Sequence, residues 1–162
     1  MKQQYSFGFE IVDDINDLAK EDAALLLEAR KITQKAYAPY SNFLVGAAGM
    51  CNNGDMVFGT NQENASYPVG ICAERVLLAS ASMLQTEEAI KTIAISYNNL
   101  SGSGGSDKPV SPCGMCRQSL AEYEERTKQP IRLILSGMEG KVIVIESAAQ
   151  LLPLSFGSTD MK

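Results

Sequence analysis

Leu18, Leu25, Leu26, Ala29 and Ile32 recur near helical spacing, which predicts a helix over 16–37 that Pro39 brings to an end. Two short apolar runs over 43–50 and 56–59 flank Asn52-Asn53-Gly54-Asp55, a turn sequence that predicts a hairpin. Apolar spacing then predicts a helix over 72–84, a strand over 92–97, a helix over 113–125 and strands over 131–135 and 142–145. The segment 147–152 reads as a short helix, opened by a Ser147 cap and closed by Pro153. Upstream of all this, Tyr5, Phe7, Phe9 and Ile11 alternate with polar residues or glycine, a pattern for an extra strand or arm.

Short strands alternating with helices place the chain in the α/β class. Its 162 residues, 45% of them apolar, suffice for one compact domain with a real core and not for two. We therefore expect a single domain over 1–162, with an N-terminal arm at 1–15 and a C-terminal tail at 147–162. The net charge is −5 with no Lys/Arg cluster, so the chain offers no footprint for a nucleic-acid backbone. A small, weakly charged ligand suits it better. No apolar run reaches the roughly eighteen residues of a membrane span, and four cysteines are too few for a disulfide scaffold. With an opening Met-Lys-Gln-Gln-Tyr that lacks an apolar signal segment, these features lead us to expect a cytoplasmic protein.

Within that frame the thiols carry the chemistry. Cys72-Ala73-Glu74-Arg75 and Pro112-Cys113-Gly114-Met115-Cys116-Arg117-Gln118 supply three sulfurs for one metal ion and a carboxylate beside it. Structural zinc takes four protein ligands, whereas catalytic zinc keeps a place for water or substrate, and this chain has no histidine to add a fourth. Cys113 and Cys116, three apart, share a helix face and can grip one ion. A redox pair, or a merely buried Cys72, is the competing reading. We take Cys72, Cys113 and Cys116 as the ligands, Zn²⁺ as the cofactor with one ion per chain, Glu74 as the acid/base and Cys51 as a small buried hydrophobe. Both motifs fall at helix starts, where the helix dipole and free N–H groups favour thiolates. Zn²⁺ with three thiolates sums to −1, so positive groups should offset it. Arg75 and Arg117, each directly following a ligand, are candidates for hydrogen bonds to the sulfurs, with Gln118 beside them. Either arginine could equally be a solvated helix-face residue.

The chain resembles the small homotetrameric cytidine deaminases. Besides the cysteine motifs, Ala38-Pro39-Tyr40-Ser41-Asn42-Phe43-Leu44-Val45-Gly46-Ala47-Ala48, Asn61-Gln62-Glu63-Asn64-Ala65-Ser66-Tyr67-Pro68 and Leu151-Leu152-Pro153-Leu154-Ser155-Phe156 follow that family's order and approximate spacing. The likeness runs from about residue 18 to 156. It implies a three-layer α/β/α sandwich around a mixed five-stranded sheet. It also implies zinc-dependent hydrolysis of cytidine and deoxycytidine to uridine, deoxyuridine and ammonia, as in pyrimidine salvage.

Residue by residue, the resemblance implies that Asn61 and Glu63 hold ribose hydroxyls and that Phe43, with Val45 beside it, walls the pyrimidine. The Ala73 N–H would hold the base carbonyl and the Ser111 carbonyl would receive the departing amine. Glu74 would take a proton from the attacking water and pass protons to N3 and the leaving group. Phe156 would reach into the site of a neighbouring subunit in a homotetramer with shared active sites; alone, it reads as an aromatic packed on its own core. The 101–106 stretch, Ser-Gly-Ser-Gly-Gly-Ser, is a flexible loop longer than the resemblance leads us to expect, a lid or a surface insertion. Two other readings share part of the pattern: a deaminase of another aminopyrimidine nucleoside of the blasticidin S type, and a non-catalytic zinc-binding module.

Overall fold

The computed structural model describes residues 1–84, 88–102 and 104–161; Ser103 of the expected 101–106 loop and Lys162 of the tail lie outside the described residues. The elements run β1 (Glu10–Val12), α1 (Lys20–Ile32), β2 (Phe43–Cys51), β3 (Met56–Thr60), α2 (Ala73–Leu84), β4 (Ile90–Asn99), α3 (Gly114–Thr127), β5 (Arg132–Ser136) and β6 (Val142–Ile145). They build one mixed sheet in the order β1-β6-β5-β4-β2-β3, in which only β4 and β5 are parallel.

The central strands are apolar without alternation because both of their faces are buried. Ile93, Ile95, Leu133 and Leu135 point to one side, where they pack with Leu77 and Leu78 of α2 and Leu120 and Tyr123 of α3. Ala94 and Ile134 point to the other side and meet Leu25, Leu26 and Ala29 of α1. The result is the three-layer sandwich expected. Cys51 is fully buried in the α2/α3 layer, as expected of a small hydrophobe.

Among the described residues the sheet has six strands rather than five. Without β1, the backbone groups of β6 would form an unpaired edge, and Glu10–Val12 of the arm pair with Val142–Val144 instead. The alternating pattern extends further than the strand: Tyr5, Phe7, Phe9 and Ile11 are all exposed. α1 is also shorter than the 16–37 expected. Leu18 is extended and Ala19, at φ −56° and ψ 145°, is not helical, and beyond Ile32 the chain tightens into a 3₁₀ turn, Thr33–Lys35, where the Thr33 hydroxyl bonds the Arg30 carbonyl at 2.7 Å. The segment after β6 is a 3₁₀ turn, Ala148–Leu151, and Ser147 does not cap it; its hydroxyl donates to Glu124 at 2.8 Å. The hairpin turn forms as expected, with Gly54 at a φ of 91° that favours glycine.

One glycine sets the depth of the site. A Cβ at Gly59 of β3 would run into the Ala73 carbonyl and the Leu77 nitrogen, so the absence of a side chain lets the start of α2 lie directly against the sheet.

Candidate active site and metal centre

α2 and α3 lie on the same face of the sheet and begin beside one another, which brings together cysteines forty residues apart in sequence. Cys72 immediately precedes α2, Cys113 is the N-cap position of α3 and Cys116 lies in the first turn of α3. Their sulfurs all lie within 4.8 Å of one another, with Cys72 to Cys113 at 3.7 Å and Cys113 to Cys116 at 3.4 Å. All three are free thiols. Tetrahedral zinc bonded to sulfur at about 2.3 Å requires sulfur separations of about 3.8 Å, so the donor set fits that ion in both chemistry and spacing. Cys116 is fully buried, Cys72 half-buried and Cys113 exposed, so the cluster opens to one side.

Hydrogen bonding from the Cys116 thiol, helped by Cys113 and by the nearby Arg75 charge, lowers the Cys72 pKa to about 6 against the opposing effect of burial. Cys72 is thereby prepared as a thiolate, the form that binds metal. The same coupling to Cys72, with burial and the Glu74 charge, pushes the Cys116 thiol up. Glu74, in the first turn of α2, is only 5% exposed. Burial raises its pKa, partly offset by its own backbone N–H and by a hydrogen bond with Cys116. Cys72 stands just before the helix rather than on it, which lets a side chain two residues later face the same space.

That space is a cavity of about 410 Å³, lined by Phe43, Val45, Asn61, Glu63, Cys72, Ala73, Glu74, Ser111 and Cys113 among others. The volume suits a small organic ligand. Nine residues singled out from sequence are thus gathered around one hollow. Beyond the last β2–β3 pair, Gly46 with Thr60, the Asn61 side chain takes over the strand's role. Its Oδ1 accepts from the Val45 N–H at 2.7 Å and its Nδ2 donates to the Phe43 carbonyl at 2.9 Å. Each end of an amide has capacity for a second bond, so the side chain can also meet a ligand. Glu63 accepts from the Tyr40 and Ser41 N–H groups at 2.9 and 3.3 Å. The Ser41 hydroxyl and then these two amides hold its pKa below the usual carboxylate range. A second hollow of about 360 Å³ shares Glu63, Tyr67 and Gly70 and opens towards Tyr40.

Four of the residues singled out stand elsewhere. Phe156 is 61% exposed and lines a separate groove beside Ala121 and Glu125, not the cavity that Cys72 and Cys113 line. Gln118 donates to the Phe156 carbonyl at 2.8 Å and so holds the tail. Arg117 donates from Nε to the Pro112 carbonyl at 2.9 Å and from Nη1 to the Leu151 carbonyl at 3.2 Å, tying down the approach to Cys113 rather than a sulfur. Arg75 lies in a groove with Ile71 and Tyr123 and acts on Cys72 through its charge. Sequence reasoning missed Tyr67, Ile71, Ile95, Val110 and Met115 as cavity walls. Tyr67 and Met115 sit inside the recognised motifs, which was the available signal.

A three-thiolate cluster open on one side, with a buried carboxylate in the same cavity of an α/β/α sandwich, defines a hydrolase that uses one zinc ion. The family profile described as "Cytidine and deoxycytidylate deaminase zinc-binding region" matches residues 19–129. Cytidine deaminase from Sporosarcina psychrophila is 34% identical over 137 residues, 85% of this chain and 92% of that one. The crystal structure of cytidine deaminase from Burkholderia pseudomallei superposes with a TM-score of 0.69 at 39% identity, covering 86% of this chain and all of the other. That from Mycobacterium leprae gives 0.60 at 29% identity over 84% of this chain and 99% of its own. The chain belongs to the zinc-dependent cytidine and deoxycytidylate deaminase family.

Proposed function

We propose that this protein hydrolyses cytidine and deoxycytidine to uridine and deoxyuridine, water replacing the amino group at C4 with release of ammonia. The observation that carries the reading is the placement of Glu74, Cys72 and Cys113 on the wall of one nucleoside-sized cavity. Cys72, Cys113 and Cys116 would hold zinc, which when bound supplies Lewis-acid activation of water at neutral pH. Glu74 takes the proton of the attacking water, delivers it to N3, and then moves a proton to the leaving amine. Burial keeps this carboxyl out of competition with bulk water. The Ala73 N–H, at the first position of α2, has no partner within its helix and is a donor for the base carbonyl. The Ser111 carbonyl accepts from the departing amine.

Asn61 and Glu63 bind the ribose hydroxyls with the capacity that their backbone bonds leave open. No lysine or arginine lines either hollow among the described residues, while Glu63 lines both. A 5′-phosphate would face a carboxylate without a cation, so the site favours a nucleoside over a nucleotide. Phe156, exposed and not among the residues lining its own chain's cavity, would complete the site of a neighbouring subunit in a homotetramer. Free thiols at a metal centre suit a reducing compartment, and we place the enzyme in the cytoplasm, acting in pyrimidine salvage. The acidic net charge and the small enclosed site argue for a nucleoside substrate without nucleic-acid partners.

The test is to purify the protein without chelator, quantify zinc, and follow cytidine and deoxycytidine by ultraviolet absorbance with ammonia assayed in parallel. Near one zinc per chain with uridine and ammonia formed supports the reading. Zinc without turnover of either nucleoside refutes it.

A further inference from the structure

We infer that Tyr97 is a positioning residue for the substrate wall: it fixes the plane of the Phe43 ring from behind and ties that ring to the 104–106 loop. The inference rests on the proposed function only in taking Phe43 as the wall of a nucleoside site. In the antiparallel register of β2 and β4, Val45 faces Tyr97 and Phe43 faces Asn99, so Phe43 and Tyr97 are diagonal neighbours on one face of the sheet. Their ring centroids are 4.7 Å apart and their planes differ by 13°, a stacked pair. Phe43 is a wall of the cavity, whereas Tyr97 is not part of that lining and is only 2% exposed.

Tyr97 is held in turn by the loop that leads to the Cys113 motif. Its hydroxyl reaches the Gly105 carbonyl at 3.5 Å. That loop is itself pinned to the same strand: the Asn99 N–H donates to Ser106 Oγ at 2.8 Å and Asn99 Nδ2 donates to the Gly104 carbonyl at 3.2 Å. An otherwise free phenyl ring at a cavity mouth has a broad torsional well about its last bond. A flat partner on its far side selects one orientation, so the wall is formed before substrate arrives and the ordering cost of binding falls. Glu74 and the cysteines belong to other elements, so loss of the backing should weaken binding and spare the chemical step.

The experiment compares Tyr97→Phe and Tyr97→Leu with wild type in cytidine kinetics, zinc content and melting temperature. Phe43 is also observed directly by NMR on protein labelled at its phenylalanines, with Phe43→Leu assigning the resonance. We expect Tyr97→Phe to stay near wild-type KM. Tyr97→Leu, which fills the space without a flat ring, should raise KM about tenfold, the upper end for a lost stacked pair, with kcat close to unchanged. Its zinc content should stay at wild-type level, and the Phe43 ring signals should move as ring-current shielding disappears. The inference is overturned if Tyr97→Leu keeps the wild-type KM, if kcat and zinc content fall together, or if the Phe43 signals do not move. A wild-type enzyme inert towards cytidine would refute the functional reading instead, and the Phe43 signals would still decide whether Tyr97 holds the ring.

Discussion

Glu63 and Glu74 are two carboxylates in one cavity whose surroundings push their pKa values in opposite directions. Glu63 is stabilised as an anion by the Ser41 hydroxyl and the Tyr40 and Ser41 amides, so its folded pKa lies below the unfolded value of about 4.3. A depressed pKa contributes stability that is present above the unfolded value and is lost as pH falls through the folded one. Glu63→Gln should therefore be less stable than wild type at pH 7, with the difference shrinking below about pH 4. Urea unfolding at both pH values checks this; a difference independent of pH would contradict the charge-based account. In the proposed reaction Glu74 has the role that a neutral isostere cannot fill. Glu74→Gln should keep zinc and lose turnover by at least about 100-fold, the lower range for a removed general acid/base, measured by metal analysis and initial rates.

Another carboxylate shows what motif reading leaves out. Glu124 is buried near the end of α3 and accepts from the Ile131 N–H at 2.7 Å, the Ala148 N–H at 2.8 Å and the Ser147 hydroxyl at 2.8 Å. It joins α3 to the start of β5 and to the turn after β6. Glu124→Ala would leave the Ile131 N–H and the Ser147 hydroxyl without this acceptor, while the Ala148 N–H keeps the Ile131 carbonyl at 2.9 Å, so a loss of about 1–3 kcal/mol is expected in urea melts. A loss under about 0.5 kcal/mol would show that water replaces the carboxylate freely.

At the scale of elements, the site depends on how closely two helix starts approach the sheet, and glycines test that in opposite directions. Gly59→Ala places a methyl group against the Ala73 carbonyl and the Leu77 nitrogen, backbone atoms that cannot swing aside. Lifting α2 should cost about 1–3 kcal/mol and also weaken zinc binding, because Cys72 and Glu74 travel with the helix. Gly114→Ala, between two proposed ligands, meets nothing within 4 Å and should be neutral or stabilise by up to about 1 kcal/mol. Thermal melts with zinc titrations separate the two cases. Equal effects would mean that close approach at Gly59 does not set the site.

Such features mark the boundary of what the sequence discloses. The Cys-x-Glu and Pro-Cys-x-x-Cys groups are local, so their chemistry was legible from spacing. Asn61 and Glu63 were legible as cavity residues through family resemblance, but not as the backbone clamps that they are in β2 and in the Tyr40–Ser41 turn. Arg117, a candidate partner for sulfur or a solvated helix-face residue by its position in the motif, bonds two carbonyls, one of them Leu151, thirty-four residues away. The alternation in the arm signals an extra strand, but its pairing with β6 and the Phe43–Tyr97 stack follow from strand register, which no local pattern encodes.

For the whole molecule, the question is whether one chain makes a complete site. Glu74, Cys72 and Cys113 line the cavity, yet Phe156 is exposed and lines a different groove of the same chain. Glu74→Gln leaves a subunit able to lend Phe156 and unable to move protons. Phe156→Ala leaves one with the acid/base and no aromatic to lend. If neighbours complete each other's sites, hybrid oligomers made by co-expressing the two variants contain sites with both groups intact. Their activity should clearly exceed the average of the two variants measured alone, provided that sedimentation shows mixed assemblies. Activity equal to that average in proven hybrids would place Phe156 outside any shared site and leave each cavity to its own chain.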